Sequence, residues 1–246
     1  VPFSDSVFIE ELTWMEVRDA IDQGITTIIV PTGGTEQNGP HMVLGKHNYL
    51  VKYKAGEIAT QLGNAVVAPV VAYVPEGEVN PPTSHMRFAG TISIPQEVFA
   101  TVLEYTARSL RQHGFLDIVF IGDSGGNQLG QLLVSENLNE EWSATNVRVH
   151  HITNYYPGRG DDWVISQGVS AEDAGSHAGT HDTSSLMFLN PSMLRFDKMQ
   201  AGVQGDGQGH TGNPAKSTAL FGQRILEMQI ADAIDQIVEE RISKRR

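Results

Sequence analysis

Four short runs of β-branched and apolar residues, Ile25–Pro31, Ala65–Val71, Asp117–Gly122 and Asn146–Ile152, set the main constraint on this chain's fold. Each is too short for a helix and apolar enough to be buried on both faces, the character of strands inside a parallel sheet. The stretches between them have helical periodicity. Thr13 and Glu16 have the spacing of a capping box, and Gly24 marks where the helix they open should end. Tyr49–Leu62 is a second expected helix. Pro95–His113 is a third, with Val98, Val102, Tyr105 and Leu110 as its inward stripe and His113 capping its end before Gly114. Residues 217–242 form the last, with Phe221, Ile225, Ile230, Ile234 and Ile237 on one face. Strands alternating with helices predict a three-layer α/β/α sandwich around a mostly parallel sheet, formed by residues 1–246 as one domain.

That alternation decides how "GDSGG", Gly122–Gly126, is read. The string is typical of serine proteases built as β-barrels, which have many short strands and almost no helix. Such secreted proteins are usually stapled by disulfides, and this chain of 246 residues has no cysteine. A nucleophilic Ser124 therefore stands only as a minor alternative. The net charge of -12 argues against a nucleic-acid or anionic-membrane partner, because the one basic cluster is Lys244–Arg246 at the chain end. No apolar run is long enough to span a bilayer. The first residue is Val1, which fits a trimmed N-terminus and leaves a removed signal peptide open.

In open α/β sheets ligands bind beyond the carboxyl ends of the strands, so the chemistry should lie in the loops there. Thr32–Asn48 carries Glu36, Asn38, His41 and His47. Gly122–Asn127 carries Asp123, Ser124 and Asn127, and Gly175–Ser185 carries His177, His181 and Asp182. Glycine combined with His, Glu, Asp and Asn is the makeup of nitrogen- and oxygen-liganded metal sites. His177 and His181 are one helical turn apart and could form a ligand pair; Asp182 and Thr183 equally suit capping of the same helix. Asp123 could meet a metal or orient a histidine, or bond the amides of its own turn. His85, on the proline-rich loop Ala72–Gly90, fits substrate contact and plain packing equally well; His150 and His151 read as structural. Trp14, Trp142 and Trp163 read as core, with Trp163 the one that could wall a pocket.

Four ordered motifs, "EQNGPH" with "GKHN" after it, "SHMRFAGTISI", "GDSGGN" and "HAGTHDTS", resemble the creatininase family of metal-dependent amidohydrolases over nearly the whole chain. Among that family's metal ligands, the resemblance carries over at Glu36. Asn38 stands where a histidine is expected, His47 where a bridging aspartate is, Ser124 where another histidine is, and Thr180 and Asp182 where two glutamates are. The resemblance therefore implies a remodelled site. One divalent ion, zinc first with manganese or iron as alternatives, would be held by Glu36, His47 and Asp182, with Asp123 as a fourth group. His177 or His41 would move protons, and Asp123 would assist them. Asn38, His85, Ser124, Asn127 and His181 would contact the substrate. The expected reaction is hydrolysis of a carbon–nitrogen bond in a small cyclic amide by a metal-activated water. A lactone or other ring, and a non-catalytic binding role, are the alternatives. The resemblance also implies a homo-oligomer, a hexamer, and a cytoplasmic location; the absence of cysteine and the trimmed start suit a periplasmic or secreted protein as well.

Overall fold

The computed structural model describes residues 6–156, 158–203 and 207–243, so the basic cluster Lys244–Arg246 lies outside the described residues. Helix α1, Trp14–Asp22, opens as expected: Thr13 Oγ1 accepts the Glu16 amide, and the Glu16 carboxylate accepts the Thr13 amide. Strand β1 is Thr27–Thr32, followed by α2, Lys46–Leu62, and β2, Ala65–Val67. Helix α3, Gln96–Gln112, leads to β3, Asp117–Gly122; α4, Gly125–Glu141, leads to β4, Arg148–His151. Short helices α5, Gly160–Ser166, and α6, Ala171–Ala174, precede α7, Thr180–Leu189, and the 25-residue α8, Ala219–Ser243.

The four strands pair in the order β2-β1-β3-β4, all parallel. Thr27 is opposite Asp117, and Thr32 is opposite Gly122. Both faces of the sheet are covered. Ile28, Val30, Ile118 and Phe120 pack on α3 and α4. Ile29, Val119 and Ile121 pack on α2 and α8. This is the expected three-layer arrangement.

Several details differ from the sequence expectation. The buried face of α3 is Phe99, Leu103, Ala107 and Leu110, while Val98, Val102 and Tyr105 are exposed. Two apolar stripes run side by side on this helix, and the one bearing the larger Phe and Leu side chains takes the core. Helix α4 was hidden by its opening Gly125–Gly126, which reads as loop. Trp142 is fully buried as expected, but Trp14 is exposed and Trp163 is half-buried against Phe221.

The strand order places the topological switch between β1 and β3, where the chain goes first to one side and then to the other. The loops following these two strands therefore open a crevice at the carboxyl edge of the sheet. Helices α7 and α8 close one side of it. Their backbones touch where a Cβ on Gly222 would sit 1.9 Å from the Ser184 carbonyl oxygen, so only glycine fits there.

Candidate active site

A cavity of about 710 Å³ occupies this crevice. Its floor is Glu36, which leaves β1 buried and sends its two carboxylate oxygens in different directions. Oε2 lies 3.2 Å from His85 Nε2, and Oε1 lies 3.7 Å from His177 Nδ1. One donor atom each from Glu36, His85 and His177 falls within 4.8 Å of the others. Gln37 holds both imidazoles at their far nitrogens. His177 Nε2–H donates to the Gln37 carbonyl oxygen at 2.9 Å, and the Gln37 side-chain amide is 2.9 Å from His85 Nδ1. An imidazole anchored at one nitrogen by a backbone carbonyl presents the other as a metal ligand, which holds for His177. The Gln37 amide instead donates to His85 Nδ1 and leaves Nε2–H facing Glu36. Burial, followed by the charge of Lys46, pushes the His177 pKa down to about 4, so the ring is neutral near pH 7.

Backbone strain gathers at the same two histidines. Among the described residues, the non-glycine positions with positive φ are Ser84, at 45°, and Ala178, at 51°. They adjoin His85 and His177 on two separate loops. A left-handed backbone at a residue with a Cβ costs roughly 1–3 kcal/mol and collects at working sites. The donor set and its place at the cavity fit one divalent ion at Glu36, His85 and His177.

Beside this cluster lies a second, saturated one. Helix α2 turns Lys46, His47 and Lys54 inward, and all three are buried. His47 Nε2–H donates to Glu36 Oε1 at 2.7 Å, and Nδ1–H donates to Asp123 Oδ2 at 2.9 Å. Burial and the nearby Lys46 oppose a charged ring, yet the two carboxylates outweigh them and raise its pKa to about 9. Both nitrogens of His47 are thus taken up by carboxylates of the chain. Asp123 also accepts from Lys54 Nζ and from the Tyr155 hydroxyl, the latter at 2.7 Å, while Lys54 Nζ donates to Gln229 Oε1 at 3.0 Å. Lys46 Nζ donates to Asp182 Oδ2 at 2.9 Å and stands 4.0 Å from Glu36 Oε1. The expected metal set of Glu36, His47 and Asp182 is therefore arranged differently. Glu36 faces the histidine cluster, while His47 and Asp182 are engaged in ion pairs with the chain itself.

The other expected site residues divide between cavity and support. Ser124 and His181 line the cavity along with His85, and His181 Nδ1 bonds Asp161 Oδ1 at 2.7 Å. The Ser124 hydroxyl donates to Glu76 Oε2 at 3.4 Å, and among the described residues no histidine is bonded to it, which removes the basis for a serine nucleophile. Asn38 and Asn127 are fully buried and donate to loop carbonyls, Asn38 to Glu36 O at 2.9 Å and Asn127 to Gly33 O at 2.9 Å. His41 is fully buried as well, bonded through Nε2 to Thr183 Oγ1 at 3.0 Å and set edge-on to His210. It stands behind the wall rather than in the cavity, and burial holds its pKa down to about 4.

Glu76 escaped the sequence reading. It lines the cavity against Glu36, on a proline-rich loop that shows no secondary-structure period. Gly34 permits the approach, since a Cβ there would lie 2.3 Å from Glu76 Oε1. Burial and the Glu36 charge raise its pKa to about 9, so Glu76 keeps its proton at neutral pH.

The creatininase family pattern, described as creatinine amidohydrolase, matches residues 10–237. A mycofactocin precursor peptide peptidase of Mycolicibacterium smegmatis is 30% identical over 235 residues, covering 87% of this chain and 85% of that protein. The creatinine amidohydrolase of Pseudomonas putida is 24% identical over 205 residues, covering 80% of this chain and 76% of its own. A crystal structure of a creatinine amidohydrolase superimposes with a TM-score of 0.79 at 21% identity, over 96% of this chain and 98% of that one. These relatives correct the expected reaction. The higher identity is to peptidases, which act on a peptide bond, and not to the enzyme of a small cyclic amide, so the non-peptide specificity inferred from the family resemblance is withdrawn. With the fold, the ordered loops and the matched residues in agreement, this chain belongs to the creatininase family.

Proposed function

We propose that this chain is a metal-dependent peptidase that hydrolyses a peptide bond at the Glu36–His85–His177 cluster. The observation that carries the proposal is the convergence of these three donors from three loops, with His177 anchored by the Gln37 carbonyl and both histidines adjoined by strained backbone. The identity to peptide peptidases supports a peptide as the substrate. The cavity is open and large enough to admit a short segment of chain.

A divalent ion bound there would polarise the scissile carbonyl and lower the pKa of a coordinated water from 15.7 to about 7. Zinc is the first choice for two histidines and one carboxylate with positions left open; manganese and iron are the alternatives. Glu36 would supply the anionic ligand, and its bond with His47 keeps the carboxylate ionised and oriented. Glu76 is the group placed to deliver a proton to the leaving nitrogen. Ser124, His181 and Asp161 form the wall along which the substrate would lie.

The chain's own charge of -12 and the absence, among the described residues, of any helix long and apolar enough to cross a membrane favour a peptide over a nucleic acid or a bilayer. A homo-oligomer of six chains belongs to the same proposal and is checked by light scattering.

The test is metal analysis of protein purified without chelator, followed by incubation of the loaded protein with a peptide library read by mass spectrometry. We expect close to one equivalent of a transition metal and cleaved peptides that disappear in Glu36→Gln. Metal-loaded protein that leaves every peptide intact would refute the peptidase reading.

A further inference from the structure

His177 reaches the cavity from a loop whose next residue, Ala178, has a φ of 51° although it is not glycine. Alanine needs an external hold to stay in the left-handed region, which its Cβ disfavours. Ala178 is fully buried, and both of its backbone groups are held. Its N–H donates to Asp182 Oδ2 at 2.8 Å, and its carbonyl oxygen accepts from Thr183 Oγ1 at 3.2 Å. Asp182 is the third residue of α7 and reaches back past the N-cap Gly179, as the acidic member of a capping box does, but one residue further. The same oxygen, Oδ2, accepts from the buried Lys46 Nζ at 2.9 Å. Lys46 fixes Asp182, and Asp182 fixes the turn.

We infer that Asp182, seated on Lys46, is a positioning residue that holds the left-handed turn at Ala178 and so aims His177 Nδ1 at Glu36. This rests on the proposed metal site and deepens it, and it gives Asp182 a role other than ligand. His41 completes the hold from behind: Thr183 Oγ1 donates to the Ala178 carbonyl and accepts from His41 Nε2–H, 3.0 Å away.

The geometry separates this role from direct ligation. Both donors meet one oxygen, so asparagine with its oxygen in that place keeps both bonds while losing the charge of a carboxylate ligand. Glycine at 178 takes the same φ without help.

Zinc is titrated into the full chain in competition with a chromogenic chelator. Asp182→Ala should weaken zinc binding by about ten- to a hundredfold, the range for groups that orient a ligand. Asp182→Asn should stay close to the parent chain, and Ala178→Gly placed in Asp182→Ala should regain most of the loss. Should Asp182→Ala alone fail to fold, Asp182→Asn and the Gly-rescued pair still decide the matter. A metal-free readout accompanies each titration: the His177 Nε2–H resonance in ¹⁵N-imidazole spectra, protected by its bond to Gln37. It should persist in the parent chain, in Asp182→Asn and in the rescued pair, and vanish in Asp182→Ala. If no chain binds zinc, the metal proposal fails while this resonance still tests the turn. The inference is overturned if Asp182→Ala keeps the resonance and the affinity. It is equally overturned if Asp182→Asn loses as much as Asp182→Ala, or if glycine at 178 restores nothing in folded protein.

Discussion

Two groupings of histidine and carboxylate meet at Glu36, and they are built in opposite ways. On one side, His47 has each nitrogen on a carboxylate, and Asp123 is covered by His47, Lys54 and Tyr155. On the other, His85 and His177 are half-buried, and each turns one nitrogen toward Glu36 and the other toward Gln37. The first grouping is charged and bonded throughout within the chain, although His47, Lys54 and Asp123 also line the cavity. The second is neutral and open, and its histidines sit beside strained backbone. The same residue types thus serve as scaffold or as ligand according to how many of their bonding positions the chain itself fills.

The most disruptive way to break this comparison is at Asp123. Asp123→Ala should cost about 3–5 kcal/mol, because it leaves buried cations unpaired, while zinc affinity of the protein that stays folded falls much less. Urea unfolding checks it; a loss under about 1 kcal/mol would mean that the grouping is not scaffold. The pH dependence is next. His47 is raised from 6.5 to about 9 in the folded chain, so its contribution, on the order of 3 kcal/mol at most, is fully present below pH 6.5 and is lost as pH rises through 9. Unfolding midpoints that stay flat from pH 6 to 10 would contradict an imidazolium at this position.

The open grouping should behave inversely. His177→Ala should weaken zinc binding by more than about a hundredfold, beyond the range for outer residues, with stability changed by under about 1 kcal/mol. Because His177 is held near 4, zinc binding should persist from neutral pH to about pH 5 and fail as pH approaches 4, which a competition titration at stepped pH would show. Gln37→Leu should give the smallest effect, a loss of under about tenfold, because it removes the side-chain amide beside His85 and leaves the backbone carbonyl that holds His177. If Gln37→Leu binds zinc as the parent chain does, the anchoring is incidental.

The layered fold and the placement of chemistry at the strand ends were legible because they rest on periodicity, which is local. Glu36, His85 and His177 were all singled out, yet their grouping was not, since it depends on three loops converging over a switch between strands. Lys54 passed as an ordinary helix residue, and Lys46 was read in the loop before a helix expected at Tyr49 that in fact begins at Lys46. Their spacing does place them on one face with Leu50 and Ile58, and that shared face is the signal available for two buried cations. Glu76 and Gln37 carry no such mark, because a buried carboxyl and an anchoring amide look like any loop polar residue until the fold surrounds them. Asp182 was read two ways, as ligand or as helix cap. Its bond to the Ala178 amide matches the second in kind, though one residue beyond the usual position.

The placement of the tryptophans makes the chain a source of its own optical signals. Trp142 is sealed in the layer of α3 and α4, across the sheet from α2 and α8, so its emission should report global unfolding and ignore events at the cavity. Trp163 lies in α5, the helix that also carries Asp161 at the cavity wall, and packs edge-on against Phe221 of α8. Substitution of Trp14, exposed on α1, would clear the background and leave one probe for the scaffold and one for substrate arriving at the wall.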